Sequence, residues 1–324
     1  MAARVDEIDA RTAPEAELLP IHRVDEACAW ERPFRTASAS VAQYRHWSDP
    51  VRRRWVAREG EEVIGTAVLM VVSPTFAAAH LVVHPDARRR GAGRALHAAL
   101  CAGAREEGLS SFFAHHWTAE GAAFARAVGA VDDQRDVASE LRLREADLPA
   151  PVVPEGWRLH SWCGAAPEEL VASYARVRSA ISDAPTPGGN EFGAIDADGV
   201  RALERTAAGR GREIRVTVAI DERGELGAFT DVRTSPVPSP VAGTDDTATA
   251  PWARRQGIAT AVKLESLRRL RDERPDVEVV RTMNAEGNTA MRAVNTRLGF
   301  VPTAFLTTTV VTLQPRTGDF PHSR

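Results

Sequence analysis

Residues 85–93 read PDARRRGAG, and residues 251–259 read PWARRQGIA. The second stretch repeats the proline, the alanine, the paired arginines and the first glycine of the first stretch, 166 residues further along. An extended β-branched run precedes each copy, and an amphipathic stretch follows it. A repeat of this length is too long for a solenoid unit but fits two copies of one domain. The sequence therefore predicts two domains of the same fold.

The composition is that of an ordinary soluble protein, with 44% apolar and 26% charged residues. A net charge of −3 leaves no basic excess for phosphates, so nucleic acid is not expected as a partner. No apolar run is long enough to span a membrane, and no signal segment opens the chain, so we expect a cytoplasmic protein without a membrane partner. The cysteines Cys28, Cys101 and Cys163 have neither disulfide nor zinc spacing, and no metal site is expected.

The order of predicted elements is the same in both halves: strands, the Arg/Gly stretch, a helix, a strand, a helix and a final strand. We predict a first domain at residues 1–147, a Pro-rich linker at 148–156 and a second domain at 157–324. The pattern predicts an α/β fold of the α+β kind, in which each domain has a central mixed sheet flanked by helices.

Two irregular segments of the second half are candidates for substrate binding. A Pro-rich loop is predicted at 234–246, which is long for a hairpin connection. A second segment, 182–198, carries acidic residues that would suit a cationic substrate, namely Asp183, Glu191, Asp196 and Asp198.

The repeated stretch has the chemistry of a phosphate site. Gly91 and Gly93 let backbone amides approach a ligand, and the helix that begins there has N–H groups without intrahelical partners. Those groups and the helix dipole favour an anion, and the neighbouring arginines add charge-assisted hydrogen bonds. The second copy has the small Ala259 in place of the second glycine.

Three kinds of loop could explain this stretch. A nucleoside-triphosphate loop needs Gly-x-x-x-x-Gly-Lys-Ser/Thr, which is absent. A dinucleotide loop needs a third small residue where Leu96 stands, and it would follow the first strand of its domain. The third is the acetyl-CoA loop of the GNAT acetyltransferases, Arg/Gln-x-x-Gly-x-Gly/Ala between a strand and a helix, which residues 81–96 resemble.

The second half resembles the same family over a longer stretch, because Asn284 to Met291 and Leu298-Gly299-Phe300 are similar to the family's C-terminal signature. The chain is thus identified by resemblance as a tandem GNAT protein, which implies acetyl-CoA as the cofactor. The residues implied to bind it are Val83, Arg88, Arg89, Arg90, Gly91, Ala92, Gly93 and Arg94 in the first half, and Thr249, Arg254, Arg255, Gln256, Gly257, Ile258, Ala259, Thr260, Asn284, Asn288 and Asn295 in the second. For Asn288, a simple helix N-cap is the alternative.

The family implies a tyrosine that protonates the leaving thiolate, four residues before the last glycine of the signature. Asn295 stands there in the second half and Ala125 in the first. The two tyrosines, Tyr44 and Tyr174, lie elsewhere, so a water could serve instead.

The candidate bases are carboxylates on the central strands of the second half. Asp246 and Asp231 are predicted as catalytic, with solvated or turn-capping carboxylates as the alternative. The first half offers only His80 and His84 at comparable places.

We therefore expect an acetyl-CoA-dependent N-acetyltransferase, an acyltransferase that acts on a primary amine of a small molecule. The chemistry is expected in the C-terminal domain, with the N-terminal domain binding CoA or serving as a structural partner. An acyl-CoA-binding regulatory module without turnover and a protein acetyltransferase are the alternatives. A monomer or a homodimer is expected.

Overall fold

The computed structural model describes residues 3–29, 51–73, 76–183, 194–209 and 211–313. Its helices are α1 (Glu15–Ala29), α2 (Ala92–Glu106), α3 (Ala119–Ala127), α4 (Glu168–Ser179), α5 (Ala197–Gly209), α6 (Ile258–Glu273) and α7 (Thr289–Arg297). Its strands are β1 (Arg4–Ile8), β2 (Val51–Glu59), β3 (Glu62–Ser73), β4 (Phe76–Val83), β5 (Ser111–His116), β6 (Val131–Arg142), β7 (Trp157–Cys163), β8 (Glu213–Asp221), β9 (Leu226–Thr234), β10 (Val241–Thr249), β11 (Val279–Ala285) and β12 (Val301–Thr312).

The chain forms two compact units. The N-terminal unit comprises residues 1–134 and 306–324, and the C-terminal unit comprises residues 135–305. The strand order is β1-β2-β3-β4-β5-β12 in the first unit and β6-β11-β10-β9-β8-β7 in the second. Most of β6 thus belongs to the C-terminal unit, and the second half of β12 to the N-terminal unit. The sequence predicts contiguous domains at 1–147 and 157–324, which assign each of these strands to the other unit.

The predicted mixed sheet flanked by helices is confirmed, and its parallel strand pair is central in each unit. In the C-terminal unit, β10 and β11 pair from Val241↔Val279 to Gly243↔Arg281, and the ladder ends there although both strands continue. In the N-terminal unit, β4 and β5 pair only at Ala78↔Phe113. Each sheet therefore has an opening between its two parallel strands, toward their carboxyl ends.

The helix that follows each Arg/Gly stretch is anchored by its apolar face. In α6, Ile258 and Val262 pack with Val218 and Phe229 of the sheet. In α2, Leu96 and Leu100 are buried with Leu69 and Phe112. Burying such side chains contributes about 1.5–3 kcal/mol each, which fixes where the first turn of each helix lies. Among the described residues, none of the helices combines the length and the apolar character needed to cross a membrane.

Three features of the structure differ from the sequence predictions. The Pro-rich loop is shorter than 234–246, because Val241–Asp246 already belong to β10. The segment 182–198 ends in the first turn of α5, while its Glu191 and also Tyr44 lie outside the described residues. The sequence reasoning did not delimit β1, α1 or α5.

Candidate active site

The Arg/Gly stretch of the C-terminal unit forms a tight loop between β10 and α6. A short 3-10 turn, Pro251–Ala253, leads to Arg255 at φ 62° and Gly257 at φ 83°, after which the helix starts at Ile258. A positive φ is unfavourable for residues with a Cβ, which explains the glycine at the helix start. Arg255 adopts this conformation at a cost, a type of strain that occurs at functional sites.

The loop presents backbone N–H donors. The helix start has no side-chain cap. After Arg254, the next N–H groups of the described chain that find a backbone acceptor are those of Thr260 and Ala261, both bonded to the Gly257 carbonyl. A helix start with free donors and no side chain at Gly257 fits a pyrophosphate, and hence the cofactor implied by the sequence.

Side chains of this loop stabilise its conformation through hydrogen bonds and an ion pair. Arg254 donates to the Thr249 carbonyl at 3.2 Å and forms an ion pair with Asp183. Gln256 accepts a hydrogen bond from Trp157 Nε1 at 2.9 Å. Of the residues predicted to bind the cofactor here, Arg254 and Gln256 therefore have side chains already engaged within the protein. The side chain of Ile258 is 1% exposed, so it can offer only its backbone N–H.

The loop of the N-terminal unit has the same backbone conformation. Arg89 is at φ 66° and Gly91 at φ 94°, and Arg88 donates to the Val83 carbonyl at 3.2 Å. Arg90 is held by Glu59 and by the Asp86 carbonyl. Ala92 is buried like its counterpart Ile258, whereas Arg94 is exposed in the first turn of α2. Both units thus carry a loop that suits a pyrophosphate.

A β-bulge interrupts β10 beside the opening in the C-terminal sheet. The ladder with β9 is regular at Thr244↔Val232 and again at Thr247↔Thr230, so that Asp245 and Asp246 together face Asp231. Such a bulge leaves a backbone group without a ladder partner. Here the N–H of Asp246 donates to Asp231 Oδ1 at 2.9 Å, so the carboxylate of Asp231 replaces the missing ladder partner of this N–H group.

A buried arginine on α4 connects the two predicted carboxylates. Arg178 Nη1 donates to Asp231 Oδ2 at 2.9 Å, and Nη2 donates to Asp246 Oδ2 at 2.5 Å. Nη1 also lies 3.0 Å from the hydroxyl of Tyr174. The side chains of Arg178 and Asp231 are 9% and 1% exposed, whereas that of Asp246 is 29% exposed. Only Asp246 of the two carboxylates is open to solvent.

The environment makes Asp246 a better proton acceptor than a free aspartate. Burial raises the pKa of its carboxyl, the charge of Asp231 raises it further, and Arg178 opposes both. Asp245, the other bulge residue, is paired with Arg233 at 2.7 Å, and burial raises its pKa to about 6.

Sequence reasoning missed two of these residues. Arg178 falls on the helix face of Val171 and Tyr174, and this spacing could have shown that it points into the protein. Asp245 could have been noticed as one of two acids in the middle of a Thr/Ala-rich strand.

The N-terminal unit has no bulge at the corresponding place. Its ladder between β3 and β4 is continuous from Gly65↔Val83 to Val71↔Ala77, and Ala79 and His80 stand in regular register. His84 accepts from the N–H of Asp86 next to the loop. Among the described residues, the bulge of the C-terminal unit thus has two carboxylates bridged by an arginine, whereas the corresponding position of the N-terminal unit has no such pair.

Two of the three asparagines predicted to bind the cofactor form a pair. Asn295 Nδ2 donates to Asn284 Oδ1 at 2.7 Å, at the carboxyl end of β11. Asn295 is 3% exposed, and its Oδ1 has no hydrogen-bond partner among the described residues. A buried polar atom without a partner is costly, so this oxygen marks a place for a polar ligand. Asn288 instead caps α7 by accepting from the N–H of Met291 at 3.2 Å.

Lys263 of α6 is a buried cation that the sequence reasoning did not consider. It is the only lysine of the chain and is 2% exposed. Its Nζ lies 3.5 Å from Thr247 Oγ1 and 5.7 Å from the ring centre of Phe300. Burial lowers the pKa of Lys263 to about 8, although the negative charge of Asp231 acts to raise it.

Comparison with known proteins connects this geometry with acetyltransferases. The model of the acetyltransferase (GNAT) family matches residues 17–129. A mycothiol acetyltransferase of Parafrankia sp. (strain EAN1pec) is 31% identical over 262 residues, which is 76% of this chain and 79% of that protein. A mycothiol acetyltransferase of Mycobacterium ulcerans (strain Agy99) is 38% identical over 107 residues, 32% of each protein.

Solved structures resemble the chain over nearly its whole length. A tandem GNAT protein from the clavulanic acid biosynthesis pathway, solved without acetyl-CoA, has a TM-score of 0.82 and 27% identity, with 97% of this chain and 99% of that chain covered. A GCN5-related N-acetyltransferase from Sphaerobacter thermophilus has a TM-score of 0.69, and the superposition covers 96% of this chain and 96% of that chain. At 15% identity, the second likeness concerns the fold alone.

Proposed function

This chain belongs to the GNAT family of acetyltransferases, and on that premise we propose that its C-terminal unit transfers an acetyl group from acetyl-CoA to a primary amine of a small molecule. The enzyme class, an acyltransferase, follows from the family. The acceptor and the division of labour between the two units are the proposed parts.

One structural difference between the two units supports placing acetyl transfer in the C-terminal unit. The bulge at Asp245 and Asp246 interrupts β10 next to the opening between the parallel strands, and Asp231 and Arg178 hold it in place. The corresponding ladder of the N-terminal unit is regular and offers Ala79 and His80 instead. Both units have a loop for a pyrophosphate, but the bulge, with its buried ion pair, supports chemistry in only one of them.

The residues of the C-terminal unit fit acetyl-CoA. The free N–H groups at the start of α6 suit its pyrophosphate, and the edge of β10 up to Thr249 faces the opening in the sheet. When bound, acetyl-CoA supplies an acetyl thioester with a thiol as the leaving group. The protein's task is to hold the acceptor amine near that carbonyl, because positioning alone supplies a large part of such rate enhancements.

Asp246 is proposed as the proton acceptor. It takes the proton that the amine loses on acylation, directly or through one water. Asp231, which the sequence also predicts as catalytic, is proposed as a positioning residue, since both of its oxygens are engaged by Arg178 and by the N–H of Asp246.

Asn295 and Asn284 are proposed to hold the sulfur end of the cofactor. The unpartnered Oδ1 of Asn295 can accept from a thiol, and the Asn284 amide N–H groups can donate to a thiolate. This pair would take the place that the resemblance assigns to a tyrosine. Asn288 is proposed to act as an N-cap only.

A small-molecule acceptor is supported by the relatives that are named as mycothiol acetyltransferases, one of which aligns with 76% of this chain. For the N-terminal unit we propose binding of acetyl-CoA without turnover, because it has the loop but not the bulge.

The test is release of free thiol from acetyl-CoA in the presence of a panel of amines, measured with a thiol reagent. We expect release with at least one amine, and loss of it in Asp246→Asn. Binding of CoA without thiol release for any amine would refute turnover and favour a regulatory module.

A further inference from the structure

A cavity of about 60 Å³ lies in the C-terminal unit between α4, α5, β8 and β9. Three of its lining residues are arginines, Arg178, Arg212 and Arg233, and two are acids, Asp231 and Glu204. Leu203, which is 42% exposed, also lines it, so the cavity reaches the protein surface. The volume is sufficient for at least two water molecules and therefore for a group the size of a carboxylate.

The acids of the cavity wall are already satisfied. Glu204 accepts from the N–H of Ala166 at 2.7 Å and from Arg201 at 2.8 Å. Asp231 is held by Arg178 and by the N–H of Asp246. Neither carboxylate is therefore available to recognise a positively charged substrate group, in contrast to the cationic substrate that the acidic segment 182–198 suggested.

One of the arginines has no such partner. The side chain of Arg212 forms no hydrogen bond or ion pair with any residue that the structure describes, although it is mostly buried. Burial lowers the pKa of Arg212, and the neighbouring Arg233 lowers it further. The carboxylate of Asp245 opposes this effect, but it is paired with Arg233 at 2.7 Å. Two adjacent guanidinium groups thus share one carboxylate, and a partly buried cation without a partner is costly.

The cavity adjoins the proposed site of chemistry. Arg178 lines the cavity through the same guanidinium that binds Asp246 Oδ2 at 2.5 Å, and Asp231 lines it while binding the Asp246 N–H. A molecule with one end in the cavity therefore has its other end near the bulge.

We propose that this cavity is the acceptor subsite and that the acceptor is an amine that also carries a carboxylate, with Arg212 and Arg233 binding the carboxylate. The proposal rests on the proposed acetyl transfer in the C-terminal unit. A bidentate arginine–carboxylate pair would neutralise Arg212 and set the distance of the amine from Asp246.

The first experiment compares matched acceptors, namely glycine, β-alanine and 4-aminobutyrate, each against its amide. We expect kcat/KM to be about 10-fold or more higher for the best amino acid than for its amide, as one charge-assisted contact provides. Arg212→Gln should remove this preference through KM of the amino acid and leave the amide unaffected. Arg205→Gln is the matched control, because Arg205 is an exposed arginine of α5, the helix that precedes Arg212, and does not line the cavity.

The second experiment separates this inference from the proposed function. Propionate and propionamide are titrated against the full chain in a thermal-shift assay, with wild type and Arg212→Gln compared. We expect stabilisation by propionate alone, lost in Arg212→Gln, whether or not any amine is turned over. Equal response to both probes, equal rates with acid and amide, or preference for phosphoethanolamine over the amino acids would overturn the carboxylate assignment. Turnover of neutral amines alone would do so while leaving acetyl transfer intact.

Discussion

Arg178 Nη2 lies 2.5 Å from Asp246 Oδ2, although the two residues are 68 positions apart in the sequence. The contact fixes the carboxylate of Asp246, which is partly open to solvent, whereas the carboxylate of Asp231 on the same arginine is buried. It also places a guanidinium between the bulge and the cavity that we assign to the acceptor. The same arginine therefore opposes the rise in the pKa of Asp246 and lines the cavity proposed for the acceptor.

Asp246→Asn should lower kcat by about 10²–10³-fold, because an amide cannot accept the amine proton. Asp246 acts as a base only when deprotonated, so wild-type activity should fall as the pH drops through its pKa. Burial raises that pKa above the ordinary value of 3.8, which places the acidic limb at a higher pH than for a free aspartate. A pH profile of kcat/KM between pH 4 and 9 measures this limb. Asp245→Asn should keep most of kcat, and the opposite ranking of the two variants would contradict the assignment.

Asp231→Asn should destabilise the fold more than Asp246→Asn does. Asp231 is 1% exposed and neutralises a buried arginine, and removing one partner of such a pair costs about 3–5 kcal/mol. Asp246 is 29% exposed, so water replaces part of its contact. Urea denaturation of both variants gives the difference in the free energy of unfolding. Equal stability of Asp231→Asn and wild type would show that the ion pair does not hold the bulge.

Gly257→Val and Gly91→Val form a matched pair of loop variants. Both glycines have a positive φ, and at neither position would a new Cβ meet another atom within 4 Å. The two substitutions should therefore impose a similar backbone strain of about 1–2 kcal/mol. We expect thiol release to be lost in Gly257→Val and largely retained in Gly91→Val, with similar decreases in Tm. Loss of activity in both variants would assign catalysis to both units or to a coupled pair.

Lys263 should titrate near pH 8. Because it is the only lysine, its side-chain resonance in a lysine-labelled sample reports this directly by NMR. Since the folded pKa is below the unfolded value of 10.5, the unfolded chain binds more protons between pH 8 and 10.5. The burial penalty is therefore fully present below pH 8 and disappears as the pH rises through this window.

The variant Lys263→Met removes that penalty while keeping the length of the side chain. It should be more stable than wild type at pH 7, on the order of 1–3 kcal/mol, and the gap should close toward pH 10. Urea denaturation at both pH values measures it. A gap that does not change with pH would mean that Lys263 is not neutralised by burial.

Asn288→Ser and Asn288→Ala distinguish a cap from a cofactor ligand. Serine is as good an N-cap as asparagine, whereas alanine costs about 1 kcal/mol at this position. If Asn288 only caps α7, Asn288→Ser should keep both Tm and KM for acetyl-CoA, and Asn288→Ala should lower Tm alone. A raised KM in Asn288→Ser would instead identify Asn288 as a ligand.

Much of the fold was predictable because it depends on short-range patterns. The strands and helices on either side of each Arg/Gly stretch follow from apolar periodicity, and the loop conformation follows from Gly91 and Gly257. The exchange of strands was not predictable. The strands β6 and β12 have the same length and nearly the same burial pattern, exposed in the first half and largely buried in the second, so either could complete either sheet.

In the candidate site, too, some features were predictable from the sequence and others were not. The pairing of Asn284 with Asn295 was within reach of the sequence, since both stand in one short signature. The role of Asp231 could not be predicted, because the sequence does not distinguish whether a carboxylate on a strand acts as a base, caps a turn or forms an ion pair.

Two copies of one fold, each with a loop that suits a phosphate, could be recognised without a structure, because both features are encoded in contiguous residues. Three further features became visible in the folded chain: the copies differ at the bulge, Arg178 binds both Asp231 and Asp246, and the side chain of Arg212 lines a cavity without a partner among the described residues. These contacts join residues tens of positions apart, and local propensity carries no information about which distant side chain will satisfy a buried charge.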